Sequence, residues 1–477
     1  MKPRQAFPFF GFGVTTSILA AALLVGCASS AGITPIAKLI TPSTSGLDGA
    51  VSVGAPAVDW WRSYGDDTLN QLMERALSGS PTLKIAQARV IRAAAMVGSV
   101  SANDGVQVNG VVESTRERFS GKSIYPNPIG GSLRTLSTAQ INASWELDFF
   151  GRNKSAIEAA IGQQRAAQAE TAAARGMLTS AVARSYIQLG RLALSRQVAT
   201  DTLVQREQIL ALIKQRVASG LDTTVDLRQG EGALPEIRVQ IEQIDEQLAL
   251  ARNVLAQLTA QAPSALSNLS VSLSALKALK IPTSLPIDLL GRRADIVAAR
   301  WRIEATTSEM QNAKAQFYPN VNLTSFVGLQ SLGLDRLINT GAAQYGVTPA
   351  IRLPIFDSGR LRANLKGKAA DVDIAIESYN SAVFEAVREA SDQITVLQSI
   401  ARQQSELVSA VTAAESGYTL ALQRYKAGIG TYLTVLNTET SIFNLRRQAA
   451  ELEARTLDTQ IALIRALGGG YLSPTQF

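Results

Sequence analysis

The 477-residue chain carries one long stretch twice. The first copy starts at Asp148-Phe149-Phe150-Gly151-Arg152, and the second at Phe356-Asp357-Ser358-Gly359-Arg360. Sixty-five residues on (216 − 151 = 65), the first copy reaches the turn Arg216-Val217-Ala218-Ser219-Gly220-Leu221. The second reaches Arg424-Tyr425-Lys426-Ala427-Gly428-Ile429 at the same remove, and Glu231 and Glu439 follow at matching places. Every landmark lies 208 residues from its partner (359 − 151 = 208). A duplication of this length without a gap sets the architecture before any small motif can.

Each copy reads as a helical hairpin. Residues 155–215 contain no Pro and are rich in Ala, Gln, Arg, Glu and Leu, all strong helix formers. On the return arm Ile237, Ile241, Ile244, Leu248, Ala251, Leu255 and Leu258 alternate steps of four and three, the spacing of a coiled-coil seam. The shifted copy, from Leu445 to Ala466, keeps the register with weaker residues. At 1.5 Å per residue such a helix runs roughly 100 Å, several times the width of an ordinary domain.

Ahead of the repeats, residues 1–26 read as a leader: Lys2 and Arg4, a short apolar core from Ile18 to Val25, and Leu24-Val25-Gly26-Cys27. Cys27 is the only cysteine, so no intrachain disulfide exists and its placement needs another reason. The chain has no histidine, which removes the commonest general base and metal ligand. No metal site and no cofactor is expected. The formal net charge of +7 falls to +5 once Lys2 and Arg4 are removed (7 − 2 = 5), and no Lys/Arg run of nucleic-acid type occurs. Beyond the leader no apolar run of about 20 residues remains, so any membrane crossing must be made with strands.

Two regions change period from helix to strand. Ala139, Ile141, Ala143, Trp145, Leu147 and Phe149 alternate with Gln140, Asn142, Ser144, Glu146 and Asp148. Tyr345, Val347, Pro349, Ile351, Leu353 and Ile355 do the same in the second copy, weakened by two prolines. Shorter alternating runs precede each, from Val106 and from Asn320. An apolar face opposite a wet one, over a length that crosses a bilayer at a tilt, suits a membrane barrel; half of a soluble sandwich is the alternative. Four strands cannot close a barrel and open edges are not tolerated in lipid, so closure demands an oligomer. Three copies would supply twelve strands.

In order, the chain divides into a leader (1–26), an extended tail (27–58), a first repeat (59–262), a connector (263–290), a second repeat (291–470) and a C-terminal tail (471–477). Strands are expected at about 106–118 and 136–149, with a hairpin over 151–262. Their counterparts are about 320–330, 343–356 and 358–467.

Trp145-Glu146-Leu147-Asp148-Phe149-Phe150-Gly151-Arg152, Leu353-Pro354-Ile355-Phe356-Asp357-Ser358-Gly359-Arg360 and the two turns resemble the outer membrane factor family. The likeness is to TolC/OprM-like channels, particularly the lipidated NodT-type branch, and covers essentially the whole mature chain. It implies a homotrimer with a twelve-stranded barrel in the outer membrane, continued by a twelve-helix tunnel through the periplasm. It implies the outer membrane of a Gram-negative bacterium, with a periplasmic adaptor and an inner-membrane RND transporter as partners. The cargo would be small toxic compounds. Leu24 to Cys27 resembles a lipobox, which implies acylation of Cys27, and Ala28 implies sorting to the outer membrane.

The resemblance also places functional residues. Arg216, Ser219, Gly220, Leu221, Arg424, Ala427, Gly428 and Ile429 would form the adaptor-contacting tip. The tunnel mouth would be lined from Thr224 to Gln229 and from Tyr432 to Asn437, with Asp226, Gln229, Thr434 and Asn437 as the aperture. Family members carry two acids in the second-repeat segment; this chain has Thr434 and Asn437 there, with Asp226 opposite Thr434. The expected gate is therefore held by largely uncharged hydrogen bonds. Glu146, Asp148 and Arg352 would face the barrel lumen.

Other readings stay open. Type I protein secretion uses similar ducts, although the lipobox and the lack of a long C-terminal extension lean toward efflux. A lipid-anchored adaptor or scaffold would carry one hairpin in a small β-domain rather than two with paired strands. An enzyme would need more than the Glu146/Asp148 pair, which no nucleophile or base motif accompanies.

Overall fold

The computed structural model describes residues 29–41, 57–122, 124–277 and 293–471. The leader, Cys27, Ala28, residues 42–56, residue 123, residues 278–292 (which include the last part of the connector) and the last six residues lie outside the described residues. The chain divides into two compact units, one of residues 1–39, 90–167 and 299–379 and the other of 40–89, 168–298 and 380–477.

Helices α1 (Asp67–Gly79) and α2 (Pro81–Ala102) lead to strands β1 (Gln107–Arg118) and β2 (Leu133–Leu147). The first hairpin follows as α3 (Arg152–Ala218) and α4 (Thr224–Leu258). Helix α5 (Ala294–Ala315) opens the second half, before β3 (Asn320–Leu332), β4 (Ala343–Arg352), α6 (Arg360–Lys426) and α7 (Tyr432–Ala466). The repeat is reproduced to the residue: α3 and α6 each hold 67 residues, α4 and α7 each 35. Equal lengths follow from equal punctuation. Gly220 and Gly428 (φ 72° and 77°) adopt the left-handed conformation that L side chains resist. At each, two crossed bonds close a Schellman motif: Leu221 N to Arg216 O (2.9 Å) with Gly220 N to Val217 O (3.0 Å), and Ile429 N to Arg424 O (3.0 Å) with Gly428 N to Tyr425 O (3.0 Å).

The first unit holds one antiparallel sheet of order β1-β2-β3-β4. Its strands differ at their ends from the sequence expectation. β4 stops at Arg352 rather than near 356, because Pro354 has no N–H to continue the ladder. β2 runs from Leu133 and stops at Leu147 rather than 149, because the next residue, Asp148, turns to cap α3. Within one copy, Pro349 lies on the edge strand β4, where a missing ladder donor is tolerated.

The second unit is built around a core in which Trp60, Trp61 and Tyr64, on a short 3-10 turn, pack with α1, α3, α4 and α7. The aromatic trio is 3%, 3% and 1% exposed, as core packing requires. Asp66 caps α1 by accepting from Leu69 N (2.8 Å), and its other oxygen accepts from the Tyr186 hydroxyl (2.9 Å). Leu69, Leu72, Met73 and Ala76 form the buried stripe of α1. On α4, Ile237, Leu248 and Leu255 are the buried members of the seam, and Ile244, Ala251 and Leu258 pack beside them.

Candidate functional site

The sheet sorts its residues by face through its register. Asn109, Asn142, Phe326 and Gly346 stand in one cross-strand row, and Glu113, Thr138 and Gln330 in another on the same side. Amides link along this face: Gln140 donates to Asn142 Oδ1 (2.9 Å) and Gln344 to Gln140 Oε1 (2.9 Å). The opposite face carries Val108, Val112, Ile141, Trp145, Val327, Tyr345, Val347 and Ile351, all exposed. A broad uncovered apolar face on a sheet whose other face is an amide network matches lipid outside and water inside. Among the described residues, β1 and β4 have no partner on their outer edges. Among the described residues, no helix is long and apolar enough to cross a membrane.

At the sheet's helical end, a cavity of 490 Å³ is lined by Glu146, Asp148, Arg152, Arg352 and Arg360 among others. Glu146 lies on the polar face, opposite Asn322, and pairs with Arg152 (3.3 Å). Arg352 ends β4 opposite Asn320. Asp148 plays a different part. It sits past the strand and accepts from Arg152 N (2.7 Å) and Lys154 N (2.9 Å), satisfying first-turn donors of α3. Phe150 stacks on Tyr318 (5.0 Å, 9°) beside it.

At the hairpin turns, Leu221, Ser219, Arg424, Ala427 and Ile429 are exposed, whereas Arg216 is not free. Its guanidinium grips Asp222 bidentately (3.0 and 3.1 Å) and lies 4.8 Å over the Tyr425 ring. The Tyr425 hydroxyl in turn donates to Asp222. One carboxylate thus holds an arginine of the first hairpin and a tyrosine of the second. Burial would raise the Asp222 carboxyl, but hydrogen bonds from Arg216 and Tyr425 outweigh it and hold the group below the usual carboxylate range. Burial and the same carboxylate push the Tyr425 phenol upward. Beneath the clasp, Ile209, Ile213, Ala421, Tyr425, Tyr432 and Val435 form a small core shared by both hairpins.

The four aperture candidates fall at the start of the return helices. Asp226 closes a capping box on α4: Thr223 N and Oγ1 donate to it (3.0 and 2.6 Å), and Asp226 N donates back to Thr223 Oγ1 (3.3 Å). Thr434 takes the same place on α7, 3.0 Å from Thr431 Oγ1. Gln229 and Asn437 lie exposed one turn later. Among the described residues no group of three or more His, Cys, Asp or Glu is placed to hold a metal ion.

A family model described as outer membrane efflux protein matches residues 72–261 and 285–469. The chain belongs to the outer membrane efflux protein family. It is 31% identical over 460 residues to the putative multidrug resistance outer membrane protein MdtQ of Shigella flexneri, covering 94% of this chain and 96% of that one. It is 30% identical over 436 residues to the multidrug resistance outer membrane protein MdtP of the same organism, 88% of each being covered. The outer membrane protein VceC of Vibrio cholerae superposes with a TM-score of 0.82 at 33% identity, over 87% of this chain and 99% of that one. Among outer membrane efflux proteins the sheet, the hairpins and their order are thus a shared framework. The efflux protein's clasp escaped the sequence reading because the two residues that complete it break the repeat. Asp222 corresponds to Gly430 (430 − 222 = 208), and Tyr425 to Val217 (425 − 217 = 208). Departures of charged and aromatic residues from an otherwise matched duplication were the signal that could have found it.

Proposed function

We propose that the protein is the outer-membrane exit duct of a tripartite RND-type pump that expels small toxic compounds. The observation that carries this reading is the sheet: one exposed apolar face, one amide-linked polar face and two unpaired edges. Three copies joined β4 to β1 would close a twelve-stranded barrel and remove every edge. Glu146 and Arg352 then border the lumen. Acylation of Cys27 adds a second hold on the membrane.

The tip residues Ser219, Gly220, Leu221, Ala427, Gly428 and Ile429, flanked by Arg216 and Arg424, meet a periplasmic adaptor, which joins the duct to an inner-membrane transporter. The Asp222 clasp keeps the two hairpins together at the tunnel mouth, where Asp226, Gln229, Thr434 and Asn437 line the aperture. The names of the multidrug resistance relatives support a small-molecule cargo.

Single-channel conductance of the purified, lipidated protein in planar bilayers, with its mass in detergent, tests the reading. A trimer with small, discrete openings is expected. A monomer that never conducts would overturn it.

A further inference from the structure

We propose that the 490 Å³ cavity at the helical end of the sheet binds small compounds that carry an anionic group on a flat aromatic body, with Arg352 and Arg360 taking the anion. This deepens the duct reading above and rests on it, since such compounds would be a class of cargo. All the lining residues belong to the first unit.

The duplication shows why the cavity is left with unspent positive charge. Arg152 and Arg360 open the first helices of the two hairpins and match one another in the repeat (360 − 152 = 208). In the first copy Glu146 neutralises Arg152 at 3.3 Å. The counterpart of Glu146 is Pro354 (354 − 146 = 208), so Arg360 has no such acid. Arg352 is a second departure, standing where the first copy has Ser144 (352 − 144 = 208). Leu147 is the last residue of β2 in register with β3, opposite Val321. One more step would set Asp148 opposite Asn320, in the row of Arg352. That carboxylate is spent instead on the start of α3, with Oδ1 accepting from Arg152 N and Oδ2 from Lys154 N. Arg352 and Arg360 are both exposed, and among the described residues neither guanidinium has a hydrogen bond or an ion pair.

Two guanidinia with no acid to satisfy them suit a carboxylate, sulfonate or phosphate, which their planar forks can grip bidentately. The remaining wall suits an aromatic body. Phe150 and Tyr318 stack face to face at 5.0 Å, and each ring stays half exposed, while Leu353 and Pro354 add apolar lining. The volume falls within the roughly 300–1,000 Å³ of small-molecule pockets. Glu146 and Arg352 lie on the polar face of the sheet, so the site borders the water path and not the apolar face. Repeated in each copy of the duct, it raises the local concentration of anionic cargo.

The test is equilibrium binding of naphthalene-2-sulfonate to the purified full-length protein in uncharged detergent, with neutral 2-naphthalenemethanol as the control. Wild type should take up the sulfonate and not the alcohol. Arg352→Gln and Arg360→Gln should each weaken binding at least about tenfold, as loss of a charge-assisted bond requires. Phe150→Leu should weaken the sulfonate but leave inorganic sulfate unchanged. Glu146→Gln frees Arg152 and should tighten sulfonate binding several-fold, a gain that misfolding cannot mimic. Equal binding by wild type and all these variants would overturn the site. Phosphatidylglycerol that fills the cavity in preference to the sulfonate would overturn the small-molecule assignment. Conductance in planar bilayers reports the duct separately. A conducting wild type that binds no sulfonate sinks the site alone, whereas a silent one that binds it keeps the site and removes the duct.

Discussion

Arg206 of the first hairpin and Glu439 of the second form a buried ion pair, 3.0 Å apart, with side chains only 7% and 3% exposed. Arg206 also donates to Ala233 O (2.8 Å), while Glu439 Oε1 has no hydrogen-bond partner. Burial raises the Glu439 carboxyl above the usual range, with Arg206 only partly offsetting it and Glu236 adding to the rise. A carboxyl that titrates higher when folded binds its proton more tightly there, so its contribution favours the fold at low pH. That contribution is lost as pH rises from about 4.5 through the raised folded value. Glu439→Gln should flatten this part of the stability-versus-pH curve, read by thermal unfolding in detergent. Arg206→Met, which strands the carboxylate, should cost about 3–5 kcal/mol at neutral pH.

The Asp222 clasp should be separable from folding of the hairpins. Tyr425→Phe removes a bond to a charged acceptor, worth about 1.5–3 kcal/mol, and keeps the ring under Arg216. Larger or longer openings in planar bilayers are expected, with little change in oligomer yield. Because the Asp222 carboxyl is held below its ordinary 3.8, the clasp keeps its contribution above that pH and loses it only as pH falls through the lower folded value. Channel opening that tracks acidification in this range in the wild type, and is absent in Asp222→Asn, is the check.

Neighbouring residues on β2 should respond oppositely to charge. Ile141→Lys places an ammonium on the apolar face and should cost about 2–4 kcal/mol of insertion, visible as loss of detergent-resistant oligomer. Asn142→Lys, one residue along and on the amide face, should assemble normally and shift the cation preference of the pore, measured as a reversal potential.

Ala260 holds a left-handed φ of 54° at the end of α4, where the second repeat has Gly468 at 78°. Its Schellman bonds are made, with Gln261 N to Ala256 O at 2.8 Å, so the strain is carried for the sake of the turn. Ala260→Gly should stabilise by about 1 kcal/mol and Gly468→Ala should destabilise by a similar amount. Denaturant midpoints of the two variants decide it.

The duplication, the hairpins and the alternating faces of the sheet could be read from the chain because they rest on local rules. Helix and strand declare themselves by period, and Gly220 and Gly428 mark turns by what a Cβ forbids. The need for partners was readable too, since four strands leave edges. What the fold alone decided were choices between near-equivalent residues. Asp226 and Asp222 are both acids at the same turn, yet Asp226 is spent on a helix cap and Asp222 reaches Tyr425, 203 positions away. Glu231 and Glu439 are matched by the repeat, but Glu231 pairs with Arg228 at the surface while Glu439 is buried against Arg206. Such differences depend on which side of each hairpin packs inward against the other. Two helices of equal length and matched register can be told apart in that respect only once they are packed, because burial and distance across the interface belong to neither sequence copy by itself.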